Sequence, residues 1–192
     1  MDTWKGIIGA SFTPATFDQY CHGLHWLAWR PSFIVLHNTS VPSLADRPNG
    51  LSKGNILDLE QYYRHVQHWS AGPHLFVDDH QIWVFTPLTV SGVHSPSWNK
   101  VALGIEMLGE YQTEPFNSGR GAQVHANAVA AVATLSAVLG LDPAGLRFHK
   151  EDPLTTHKSC PGQHVVKADF IQEVQALLAE RHGGEHTPPP GA

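Results

Sequence analysis

Apolar positions fall into two kinds of run along this chain: short β-branched runs that end in polar residues, and longer runs with helical spacing. "SFIVLHNT" (32–39) is of the first kind and reads as a buried strand. "HLFVDDHQIWVF" (74–85) reads as two strands around an Asp-Asp-His turn, "VALGIEML" (101–108) as a further strand and "LRFH" (146–149) as a short one. Of the second kind, Ile56, Leu59, Tyr63, Val66 and Trp69 fall near helical spacing behind Asn55 as N-cap. "GAQVHANAVAAVATLSAVLG" (121–140) is an Ala-rich helix that ends at Gly140. "HVVKADFIQEVQALLAERHGG" (164–184) is amphipathic, with Val165, Phe170, Val174 and Leu177 near one face and Gly183 beyond the helix end. The stretch "PSLADRPNGLSKG" is a loop by its Pro, Gly and Asn content. Residues 1–31 carry no assignable pattern, and the Pro-rich end, 183–192, is expected to be a disordered tail. Interleaved strands and helices predict an α/β fold, a single domain over 1–182 with one central mixed sheet.

Strand parity sorts the side chains further. In the first strand Phe33, Val35 and His37 share a face, with His37 at its polar end. In "VALGIEML", Val101, Leu103, Ile105 and Met107 form the packed face, and Ala102, Gly104 and Glu106 the other. Two small residues beside a carboxylate leave space over that second face, and a carboxylate inside an apolar strand is costly unless it is paired or faces a cleft. In "LRFH", Arg147 and His149 share a face and Phe148 opposes them.

Composition narrows the setting. The chain has 192 residues, 42% hydrophobic and 15% charged, which suits one globular domain with a real core. A net charge of −5 with scattered Lys and Arg argues against a nucleic-acid partner. Cys21 and Cys160 do not make a disulfide framework, and a reducing compartment or a metal role suits them better. "MDTWKGIIGASFTP" lacks the pattern of a signal peptide, and no apolar stretch reaches the roughly 18 residues of a membrane span, so membrane insertion is not expected. The protein is expected to be cytoplasmic as synthesised, reaching a cell wall only by a phage-type or other release route.

The chemistry gathers in "RFHKEDPLTTHKSCPG". Zinc takes imidazole nitrogen and thiolate in tetrahedral geometry, and a hydrolytic site keeps a fourth position open. His149 and Cys160 supply two such ligands, His37 is the best third, and His157 is a rival within the loop. A helix is expected to start just after Pro161-Gly162, so its N-terminal field is expected to favour the Cys160 thiolate.

Taken in order, "IVLHNT", "SAGPHLFVDDHQIWVF", "GVHSPSWNKVALGIEMLG" and "FHKEDPLTTHKSCPG" resemble the type 2 N-acetylmuramoyl-L-alanine amidases, a superfamily of T7-type lysozymes, AmpD-like amidases and peptidoglycan recognition proteins. The resemblance spans about residues 32–178. It implies a mixed β-sheet flanked by helices with Zn2+ in a surface cleft held by His37, His149 and Cys160, and peptidoglycan or a muropeptide as substrate. It also implies Glu106 as general base and Lys158 as the cation that steadies the oxyanion. Pro73 stands where the T7-type branch has a catalytic tyrosine, which leaves that role absent or with Glu106. His94, Trp98 and Asn99 are expected to line the substrate cleft, Trp98 by its flat apolar face and Asn99 by its amide; a core Trp in an ordinary loop is the competing reading. Three other classes stay open: a non-catalytic peptidoglycan-binding module, a hydrolase with Cys160 as nucleophile and His149 as base, and a closed structural zinc site completed by His157.

Overall fold

The computed structural model describes residues 3–26 and 29–184. Six strands form one sheet: β1 (Ala10–Phe12), β2 (Phe33–Asn38), β3 (Leu75–Val77), β4 (Ile82–Val84), β5 (Ala102–Met107) and β6 (Arg147–Phe148). Their spatial order is β1-β4-β3-β5-β2-β6. The sheet is mixed: β4 runs antiparallel to β1 and β3, whereas β5 is parallel to β3 and β2, and β2 is parallel to β6. Among the described residues four α-helices flank the sheet: α1 (Pro14–His22), α2 (Lys53–Gln61), α3 (Gly119–Leu139) and α4 (Lys167–Gly184).

The two sheet faces differ as parity requires. Ile34 and Leu36 of β2 join Leu103, Ile105 and Met107 of β5 in the main core, with Val124, Ala128 and Val132 of α3. The opposite face carries a small separate cluster of Val35, Trp98 and Ala102, with Phe33 packed against it. His37 and Glu106 lie farther along that second face and are paired in register. Val101, expected on the packed face, precedes β5 and is 41% exposed.

α3 is the central helix. It packs against α1, α4 and β5, and Gly140 ends it in the left-handed region at φ 67°. By length and composition it could span a membrane, contrary to the count of apolar residues in a row, but 67% of its apolar window is buried inside this domain. At its N-terminus Arg120 donates to both Asp79 carboxylate oxygens, at 2.6 and 2.9 Å, and to the carbonyls of Leu44 and Arg47. One guanidinium thus ties the β3–β4 turn and the 42–52 loop to the core helix. The neighbouring Asp78 carboxylate accepts from the backbone N–H of Leu51, His80 and Gln81, each at 2.7 Å, and so fixes the same loop and turn.

Several boundaries differ from expectation. The 1–31 region holds β1 and α1; Thr13 caps α1 through a reciprocal bond with Thr16, with Pro14 at the first turn. α2 starts at Lys53 behind Ser52, and Asn55 is the third helical residue that completes the capping box rather than the cap. The helix then widens into a π-turn over Tyr62–Val66, which ends the regular spacing, so Val66 is exposed and Trp69 lies outside the helix. The last helix begins at Lys167 rather than at 164 and runs through Gly183 to Gly184. The expected tail therefore lies, from 185 onward, outside the described residues.

Candidate active site

A cleft of about 790 Å³ opens at the C-terminal ends of β2 and β5. Asn55, Asp58, Leu59, Tyr62 and Tyr63, from α2 and the π-turn, line it together with Thr39–Pro42 and Arg47, while Glu106, His149 and Cys160 lie at its depth. His37 is buried beside them.

β2, the end of β6 and the 150–162 loop bring three metal-ligating side chains together. The ligand atoms of His37, His149 and Cys160 all lie within 4.8 Å of one another. Two imidazoles and one thiol form a donor set that zinc accepts, and three protein ligands leave a position for a non-protein oxygen. Burial, together with the neighbouring His94 and His149, holds His37 well below the usual histidine pKa; burial lowers His149 to about 4. Both rings are therefore neutral near pH 7, the state in which imidazole binds a metal. The Cys160 thiol goes the other way from expectation. α4 starts at Lys167, seven residues beyond Cys160, and burial with the nearby Glu106 raises the thiol pKa.

Glu106 sits 3.8 Å (Oε1) from His37 Nδ1, with only 17% of its side chain exposed, and burial pushes its pKa up to about 8. A carboxyl group so placed can hold a proton near neutral pH and still reach the cleft. His157 is exposed and stacks on His149, centroids 5.3 Å apart, but it is outside the three-ligand group. Lys158 is exposed on the same loop and is not among the residues lining the cleft.

The three residues expected to meet substrate separate. Trp98 packs edge-on to Phe33, with Arg147 stacked over both rings at 4.9 and 4.3 Å, so it belongs to the small apolar cluster and not to the cleft. The Asn99 side-chain oxygen, Oδ1, accepts from the backbone N–H of His94 and Ser95, both at 2.7 Å, so its amide shapes its own loop. His94 reaches the cleft but is 7% exposed, with both ring nitrogens engaged inside the protein. His74 accepts at Nδ1 from Gly104 N–H and donates from Nε2 to the Val90 carbonyl, both at 3.0 Å, which makes it a structural residue.

Two features were missed from sequence. The Asp152 carboxylate accepts from the hydroxyls of Ser95 and Ser97, each at 2.5 Å, and from the N–H groups of Ser97 and Leu154. It clamps the 93–99 loop to the ligand loop, and these bonds lower its pKa to about 2. The only local signal is the Asp-Pro turn. Tyr63 stacks flat on Trp69 at 5.0 Å and lines the cleft beside Pro73, in reach of the Glu106 charge. Its hydroxyl has no hydrogen-bond partner among the described residues.

The family model described as N-acetylmuramoyl-L-alanine amidase matches residues 12–163. The chain belongs to the N-acetylmuramoyl-L-alanine amidase family. The fold of this amidase-family chain is shared by solved structures at low identity. An endolysin amidase LysCS from Clostridium intestinale aligns with TM-score 0.60 at 22% identity, over 77% of this chain and 86% of the other. A mutant of Drosophila PGRP-LB in complex with tracheal cytotoxin aligns with TM-score 0.59 at 20% identity, over 78% and 85%. A mutant endolysin from Bacillus subtilis aligns with TM-score 0.56 at 24% identity, over 91% and 98%. No curated protein matches the chain.

Proposed function

We propose that this amidase-family chain hydrolyses the amide between N-acetylmuramic acid and the L-alanine of the peptidoglycan stem peptide, as a zinc enzyme. The convergence of His37, His149 and Cys160 within 4.8 Å, at the bottom of a cleft that also holds Glu106, supports this reading most directly. A zinc ion held by those three would supply Lewis acidity toward water and the scissile carbonyl. Glu106 is the proton-handling group: it takes a proton from the attacking water and returns it to the leaving amine. Its raised pKa, about 8, suits both transfers. Lys158 lies outside the cleft lining, but its charge already disfavours protonation of His149, and it is the cation that meets the negative charge developing on the carbonyl oxygen. The α2 wall and Arg47, which line the cleft, hold the stem peptide.

A Cys160 nucleophile is the second reading, and burial opposes it by keeping the thiol protonated. Digestion of purified sacculi or a muropeptide, with chelator and with zinc restored, separates the readings by mass spectrometry of the products. Release of stem peptide beginning with L-alanine, lost on chelation, is the expected result. Glycan cleavage, or hydrolysis resistant to chelator but sensitive to thiol alkylation, would overturn the proposal. Binding of sacculi without any product would identify a non-catalytic module.

A further inference from the structure

Each candidate histidine ligand already has one ring nitrogen engaged. His149 Nε2 lies 2.8 Å from the Thr155 hydroxyl, and His37 Nε2 lies 3.1 Å from His94 Nδ1. The two arrangements differ in what they fix. A hydroxyl can donate or accept, so Thr155 leaves the His149 tautomer open. His94 has no such freedom. Its Nε2 is 3.1 Å from the Ala102 carbonyl oxygen, which can only accept, so the ring proton is on Nε2. In the neutral ring Nδ1 then carries the lone pair and must accept from His37 Nε2. The proton of His37 is thereby held on Nε2, and the lone pair is left on Nδ1, on the side of Glu106.

We propose that His94 is a positioning residue that sets the tautomer of His37 through the chain Ala102 carbonyl–His94–His37, so that His37 presents Nδ1 as its ligating atom before any metal binds. The inference rests on the metal-site reading above and assigns His94 a role other than substrate contact. The surrounding structure keeps the ring in place. Gly104 lies under it, and a Cβ there would stand 2.3 Å from the imidazole. The His94 ring meets His37 and His74 edge-on, with centroids 5.2 and 5.8 Å apart, and Asn99 holds its backbone N–H. A buried imidazole acting on another imidazole is an outer-shell contact, and loss of such contacts lowers metal affinity about 10- to 100-fold.

Two measurements test this. The first is the long-range 1H–15N spectrum of the metal-free protein, with His37 assigned. It should show the Nε2–H tautomer; an Nδ1–H tautomer at His37 would overturn the proposal whatever the protein does with zinc. The second is zinc affinity by competition with a chromophoric chelator, alongside thermal unfolding of each metal-free variant. His94→Leu removes the acceptor and should weaken zinc by about 10- to 100-fold. His94→Asn places an amide oxygen near the former Nδ1 and should restore most of that affinity. A folded His94→Leu protein with wild-type affinity, or equal losses in both folded variants, would refute the role of the acceptor. If the wild-type protein binds no zinc while His37 is the Nε2–H tautomer, the metal-site reading fails and the tautomer assignment stands on its own.

Discussion

His37 and Glu106 face each other in register on the adjacent parallel strands β2 and β5, with His37 Nδ1 3.8 Å from Glu106 Oε1. The spacing brings a candidate ligand and a candidate base to one point without a loop between them. Glu106→Gln preserves the shape of the side chain and removes its basicity. The variant should bind zinc with wild-type stoichiometry while kcat falls by about 100- to 10,000-fold. Near-normal turnover on a muropeptide would remove Glu106 from the mechanism.

Metal removal should act on stability as well as on activity. A ligand that binds only the folded state stabilises it by about 2.7 kcal/mol when free ligand is 100-fold above Kd. For a chain of this length that is a rise in Tm of about 5–10 °C. Calorimetry of the chelated protein with and without added zinc reads this directly. Cys160→Ser, which replaces a soft thiolate with a poor ligand, should abolish most of the rise.

Trp98 and Asn99 should behave as structural residues. Trp98→Ala removes a ring packed between Phe33 and Arg147 and should cost about 3 kcal/mol. KM for a muropeptide should stay unchanged in the fraction that remains folded. A large rise in KM at unchanged Tm would return Trp98 to the substrate cleft.

Asp152 should make stability depend on acid pH. Its folded pKa, about 2, lies below the unfolded value of about 3.9, so its stabilisation is present above that unfolded value and is lost as pH falls toward 2. Asp152→Asn weakens four hydrogen bonds to a charged acceptor and should cost about 2 kcal/mol at neutral pH. Denaturation midpoints of the two proteins should converge between pH 4 and pH 2, both values about those of the carboxyl's two states. A gap that stays constant over that interval would show that the carboxylate charge is not what holds the two loops.

The parity of β2 and β5 was legible because a two-residue period needs no tertiary information: it set His37 with Phe33 and Val35 and set Glu106 apart from the packed face of its own strand, and the pairing of the two strands brings both onto one face. The grouping of His37, His149 and Cys160 was legible because zinc restricts residue type, and the fold brings the three side chains together. What could not be read depends on packing. Trp98 offers the same flat face to a sugar as to Phe33, and only the fold decides which it meets. The cue for α1, Thr13-Pro14 with Thr16, was present but lay in a segment with little apolar periodicity. The raised pKa of the Cys160 thiol could not be read, because the depth of burial beside Glu106 is set by how the loop folds.

The division of the sheet into a core face and a reactive face ties chain length to both properties at once. Deleting one residue within β5 would turn Ile105 or its neighbour into the cleft and Glu106 into the apolar core. Such a change would remove the base, strand a carboxyl group among aliphatic side chains and empty part of the core in a single event. Exchange of side chains in β2 and β5 leaves this register intact, and so does an insertion in the connections that end above the cleft. The two strands act as a ruler for the protein: their residue count is a heritable constraint independent of which amino acids fill it.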